Sequence, residues 1–181
     1  MTNATVFIAA EAAILATIED VESSWRADDG GLTWAAGDVI GLGRSALRYI
    51  AGITGRSTTL LRIDLEDWYQ GQFSGSTGAE ADICGEVCRA TGDELRRRGA
   101  PVTLDGLRFK AQDGSTGKSS VRDFTDLREA REYSRSRSGP GWVQVWDDEA
   151  ERYPAEHGGS LYSWPFSAPI EPVGTGAWIT L

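Results

Sequence analysis

Residues 57–73 read STTLLRIDLEDWYQGQF, and the fold turns on what this stretch becomes. From Thr58 to Ile63 it is β-branched and apolar. Three carboxylates follow at Asp64, Glu66 and Asp67, and Trp68, Tyr69 and Phe73 close it. A short apolar run bounded by polar residues predicts a buried strand. Its far end would then form an acidic, aromatic rim of the kind on which binding or catalytic groups are carried. Two helical patterns precede the stretch and one follows, which places it at the pivot of the chain.

Upstream, the spacing predicts a helix over 9–25, with Ile14, Ile18, Val21 and Trp25 on one side, broken by ADDGG at 27–31. A second helix is expected over 37–53, with Val39, Ala46, Ile50 and Ile53 along one side. Its Gly41 and Gly43 invite close approach of another element, and Gly55 supplies a stop. Downstream, Thr77 and Glu80 have capping-box spacing and open a helix carrying Ile83, Val87 and Ala90. That helix ends in Arg96, Arg97 and Arg98, with Gly99 and Pro101 terminating it. VTLDGLRFKA at 102–111 reads as a hairpin turning at Asp105-Gly106. DGSTGKSS at 113–120 is a polar loop. Ser120 and Asp123 are placed to cap a short helix with Phe124, Leu127 and Ala130 inward. YSRSRSGP at 133–140 reads as an exposed connection.

Beyond it, WVQVW alternates as a strand does, and 161–181 holds short strand-like pieces rich in Trp, Pro and Gly. Helices early and strands late predict an α+β fold. The expected architecture is a helical N-terminal half packed on a small, mostly antiparallel sheet, followed by a β-rich C-terminal region. The expected division is a core over 1–138 and an extension over 139–181, or else one domain over 1–181.

The 181 residues, 40% of them apolar, suffice for a real core, and the net charge of −9 disfavours a nucleic-acid backbone or an anionic membrane as main partner. No apolar run approaches the roughly 18 residues of a membrane span. Residues 6–18 are Ala-rich, interrupted by Glu11 and preceded by no basic segment, so they read as an amphipathic helix rather than a leader. Cys84 and Cys88 share a helix face and read as buried small side chains. A cytoplasmic origin fits this cysteine usage.

Three constellations bear on function. IDLEDWYQ resembles the opening motif of the polysaccharide deacetylases. That resemblance implies Asp64 as base and Asp67 as ligand of a catalytic metal. The family's paired-His second motif has no counterpart, because His157 is the one histidine. The segment GLRFKAQDGSTGKSSVRDF offers Lys118 and Ser119 for the outer phosphates and magnesium of a nucleotide. Gln112, however, stands where a phosphate loop needs its first glycine. The acids Asp147, Asp148, Glu149 and Glu151 lack calcium-loop spacing and read as a solvated turn.

The third constellation spans 25–68. Asp28-Asp29, the helix stripe from Ala46 to Ile50, Thr54-Gly55-Arg56 and a strand closing on Trp68 resemble the core of head–tail adaptor proteins of tailed phages. This resemblance implies a ring-forming structural protein. Trp142, Trp146, Trp164 and Trp178 are then candidate interface residues, since aromatics suit packed interface centres. The expectation is a non-enzymatic assembly protein, with no cofactor or metal, that associates with itself and with other assembly proteins. It would be cytoplasmic during synthesis and in the virion if phage-derived. A metal-dependent hydrolase using Asp64 and Asp67 and a nucleotide-binding module using Lys118 and Ser119 are the competing readings.

Overall fold

A computed structural model describes residues 4–74, 77–114, 120–137, 139, 141–149, 172–173 and 176–181. The fold is α+β, with five α-helices and a five-stranded antiparallel sheet among the described residues. Chain contacts separate it into a helical unit, residues 1–55 with 64–100, and a sheet unit, residues 56–63 with 101–181.

The helical unit is built on α1 (Ala4–Ser24), α2 (Trp34–Gly52) and α4 (Gly78–Arg97), each of which touches the other two. Their apolar stripes recur every three or four residues and converge. Phe7, Ala10, Ile14, Ile18 and Val21 of α1 are buried, as are Val39, Ile40, Ala46 and Ile50 of α2 and Ile83, Val87, Ala90 and Leu95 of α4. Gly43 allows the close approach expected of it, because a methyl there would stand 2.7 Å from Ile18 Cδ1, whereas Gly41 faces open space. Between α1 and α2 the acidic segment folds back on itself. The backbone N–H of Ala27 donates to Gly31 O (2.8 Å), and Gly30 adopts φ +82° in the turn.

The capping signals act as expected. Thr77 Oγ1 accepts from Glu80 N (3.2 Å) while the Glu80 carboxylate accepts from Thr77 N (2.9 Å), the reciprocal pair of a capping box. At the other end of α4, Gly99 takes φ +67°. Its N–H reaches Arg96 O (3.0 Å), and that of Ala100 reaches Leu95 O (3.0 Å), a Schellman closure just before Pro101.

The stretch at 57–73 is not a strand. It is the helix α3 (Thr58–Ser74). Ser57 Oγ accepts from Leu60 N (3.2 Å) as an N-cap does. Two more acceptors come from distant residues at the end of a strand. The Glu149 carboxylate takes the N–H of Thr58 (2.7 Å), and Asp147 accepts the Ser57 hydroxyl. The positive end of a helix is thereby met by two carboxylates that local sequence does not reveal.

The sheet unit orders its strands β2-β1-β3-β5-β4: β1 (Phe109–Gln112), β2 (Val121–Phe124), β3 (Trp142–Asp147), β4 (Pro172–Val173) and β5 (Gly176–Thr180). Strands on either side of residue 138 therefore share one sheet. One face carries Phe109, Ala111, Val143, Val145 and Ile179, covered by Leu127 and Ala130 of α5 (Leu127–Ser134) and by Leu60 and Ile63 from the start of α3.

Three further expectations change. The Asp105-Gly106 turn is present, with Gly106 at φ +80°, but 102–104 form no strand; β1 pairs instead with β2. Ser120 and Asp123 cap no helix. Asp123 lies in β2, and α5 is capped by Asp126, whose carboxylate accepts from Glu129 N (2.9 Å). Tyr133 is not in an open connection but in α5, half-buried against Phe124, its hydroxyl donating to Ser120 O (2.8 Å).

Candidate functional site

The helical state of 57–73 changes what its carboxylates can do. Asp64 and Asp67 are three residues apart and thus share one helix face. That face is buried, and both side chains are engaged in interactions, so neither stands at a strand end facing solvent. Glu66 is half-buried and accepts from Gln70 Nε2 (2.8 Å). Trp68 packs inward against Tyr49, ring centroids 5.8 Å apart. The strand-end platform implied by the deacetylase resemblance is therefore not formed. Among the described residues no group of three or more His, Cys, Asp or Glu is placed to hold a metal ion.

Arg62, also buried, donates from Nε to Thr103 O (2.5 Å) and from Nη2 to Asp105 O (2.7 Å), tying α3 to the turn that precedes β1. Burial pushes its pKa down, against the opposing pull of Asp105. The acidic turn read as solvated is structural in two of its members. Asp147 is fully buried, and both Asp147 and Glu149 are spent on the α3 N-terminus. Lys118, Ser119, Glu151, His157 and Trp164 lie outside the described residues.

The thiols are quiet. Cys84 is buried and Cys88 half-buried, both free, and burial pushes Cys84 up to about 11 and Cys88 up to about 12. Thiols so raised stay protonated at neutral pH and are poor nucleophiles and ligands. Glu94 is fully buried yet held charged. Burial pushes its carboxyl upward, but hydrogen bonds from Arg97 Nε (2.7 Å) and Arg98 Nε (2.7 Å) outweigh this and leave it below the ordinary carboxylate range. Arg98 also reaches Thr54 O (3.0 Å), fastening the end of α4 to the turn after α2.

Of the tryptophans singled out by sequence, Trp142, Trp146 and Trp178 are half-buried on the sheet face opposite the core. Trp146 and Trp178 are cross-strand partners with rings edge-to-face at 5.5 Å. Arg108 lies 5.1 Å from the Trp146 centroid, and Lys110 lies 4.4 Å from that of Trp178. Trp146 Nε1 donates to Asp148 Oδ1 (2.5 Å). These rings are stacked into a ladder.

The large apolar side chains left in water lie elsewhere. Trp34, the first residue of α2, is 95% exposed, with Leu32 exposed just before it. Phe73 is 70% exposed and pairs edge-to-face with exposed Tyr69 (4.9 Å) on α3. Ile8 is 54% and Leu15 47% exposed on α1. Sequence reasoning passed over Trp34, although a signal was there. Its helical neighbours at i+4, i+7 and i+11 are Asp38, Gly41 and Ser45, which puts the indole on the polar side of α2. Comparison with protein-family models, curated proteins and solved structures found no match for this chain.

Proposed function

We propose that the chain is a non-enzymatic assembly protein that acts through contacts with further copies of itself and with other assembly proteins. The observation that carries this reading is the exposure of Trp34, Phe73, Tyr69, Ile8, Leu15 and Leu32 on one helical unit, against Val102 and Val121 alone among the described large apolar residues of the sheet unit. An indole buries about 150–250 Å², so seating Trp34 in a partner is worth about 4–6 kcal/mol of gross transfer free energy. Exposed aromatics of this size are the commonest anchors of protein interfaces. The specific setting we infer is a phage-like head–tail connector or tail. It is supported by the order along the chain of acidic turn, helix and Thr54-Gly55-Arg56; the strand expected to close on Trp68 is instead the helix α3.

Light scattering on the eluting protein tests the reading. A mass that is an integral multiple of one chain, falling towards one chain on dilution, is expected. A mass of one chain at every concentration overturns it.

A further inference from the structure

The outward face of α2 carries a line of residues that the packing of the helical unit does not use. Trp34, Gly41 and Arg48 are seven residues apart, so they lie close to one line along the helix, opposite the buried Val39, Ala46 and Ile50. All three are exposed. Exposed Gly37 and Asp38 flank the line near its start, and exposed Arg44 and half-buried Ser45 flank it further on. A methyl group at Gly37 or Gly41 would meet nothing within 4 Å. Glycine weakens a helix interior relative to alanine, and no packing among the described residues requires it at either place.

We infer that this face is the surface on which a second copy of the chain packs its own α2, antiparallel, about a two-fold axis beside Gly41. The inference rests on the self-association proposed above and names its surface. In that register Gly41 meets Gly41, where the backbones come closest and a side chain would hold them apart. Arg48 of each chain comes opposite Trp34 of the other, with Asp38 one turn along from that indole. The guanidinium can then stack on the ring and reach the carboxylate. A seven-residue line stays in register over its length when two helices cross at about 20°. The contact is isologous, so both Trp34 rings are covered at once.

Charge selects both the occupant and the direction. The charged residues of α2 are segregated, with Asp38 in its first half and Arg44 and Arg48 in its second. Exposed Asp28 and Asp29, in the turn that leads into the helix, add to the acidic end, against Arg26 on the same turn. A parallel pair would set Asp38 against Asp38 and Arg48 against Arg48. The antiparallel pair sets each acidic end against a basic one, so the face is complementary to itself. Arg48 donates to a neutral group, Ser45 Oγ (3.1 Å), whereas Arg44 already lies 3.8 Å from the Glu22 carboxylate. Arg48 is therefore the cation placed to gain a carboxylate from the second chain.

Light scattering and circular dichroism on the full chain test this together. Gly41→Leu should keep the helical circular dichroism, because the position is open and leucine is the better helix former. It should nevertheless lower the mass by at least half at a fixed concentration. Asp38→Arg and Arg48→Asp should each lower the mass as well. An equimolar mixture of those two should regain the wild-type mass, since each contact in the mixed pair again joins a carboxylate to a guanidinium. A folded Gly41→Leu chain that keeps the wild-type mass, or a mixture that regains nothing, overturns the pairing while leaving self-association standing. A wild-type chain that is monomeric at every concentration overturns both. A monomer whose tryptophan fluorescence responds to a lysine-rich peptide, with the response lost in Asp38→Arg, would assign the face to a basic partner and likewise overturn the pairing.

Discussion

The two units of the chain differ in what they do with aromatic side chains that lie off their cores. In the sheet unit, Trp146 and Trp178 face away from the core but are not left to water: each has the other at its edge and a cation near its ring. Tyr133 and Phe124 are likewise paired, with Arg122 near the Tyr133 ring (4.7 Å). In the helical unit Trp68 is packed against Tyr49, but Trp34 has almost its whole surface in solvent, and the exposed Tyr69 and Phe73 are paired with each other. A ladder of rings and cations uses up aromatic surface within the fold, whereas a lone indole on a polar helix face contributes almost nothing to folding and is available to a partner. Tryptophan content alone does not distinguish these two environments. Exposure separates the two roles.

The comparison can be broken most sharply at the cores. Phe109→Ala should cost the sheet unit about 3–5 kcal/mol in chemical denaturation, because this fully buried ring sits where β1 meets β2 and β3. A loss below about 1 kcal/mol would show that the face is not a packed core. In the helical unit, Glu94→Gln should cost about 2–3 kcal/mol by weakening the hydrogen bonds from Arg97 and Arg98. The pH dependence follows from the lowered Glu94 pKa. The unfolded chain takes up the proton first, so the stabilisation is complete above the ordinary glutamate value of about 4.3 and is lost as pH falls through the lower folded value. The wild type and Glu94→Gln should therefore converge in stability in acid. A constant difference down to the acid transition would contradict the pairing.

Smaller effects refine the aromatic contrast. A double-mutant cycle on Trp146 and Trp178 should return a coupling of about 0.5–1.5 kcal/mol, and Lys110→Met should remove about 0.5–1 kcal/mol through Trp178. Zero coupling would mean that the rings are adjacent without stabilising each other. At the bottom of the scale, Trp34→Ser should leave folding stability within about 0.5 kcal/mol. A larger loss would show that the indole is packed within the fold rather than offered to a partner.

Much of the helical unit was legible in advance. The stripes of α1, α2 and α4, the Thr77–Glu80 capping box and the Gly99 stop are local signals, each written within four or five residues, and the structure places them close to where they were read. Strand β3 was equally plain from the alternation of WVQVW. The misreadings share a cause. In α3 the buried faces include Arg62, Asp64 and Asp67 alongside Leu60, Leu61, Ile63 and Trp68, so charged residues interrupt the helical period and the leading TTLLRI looks like a strand. The exposed strand β2, VRDF, has no apolar alternation, so its sequence reads as the start of a helix. Trp34 escapes the sequence reading because the helix is expected to start at 37, three residues too late for the polar face of α2 to include the indole.

The sequence by itself determined the α+β class, the helices α1, α2 and α4, the caps of α4, and the absence of any helix among the described residues long and apolar enough to cross a membrane. Those are properties of local spacing and composition. Only the tertiary structure decided that residues 58–74 are helical. The acceptors that complete the α3 N-terminus, Asp147 and Glu149, lie some ninety residues away, and the partners of its buried Arg62 are the carbonyls of Thr103 and Asp105. A buried charge is tolerable only with its partners in place, and partners so distant in sequence become visible only once the chain has folded.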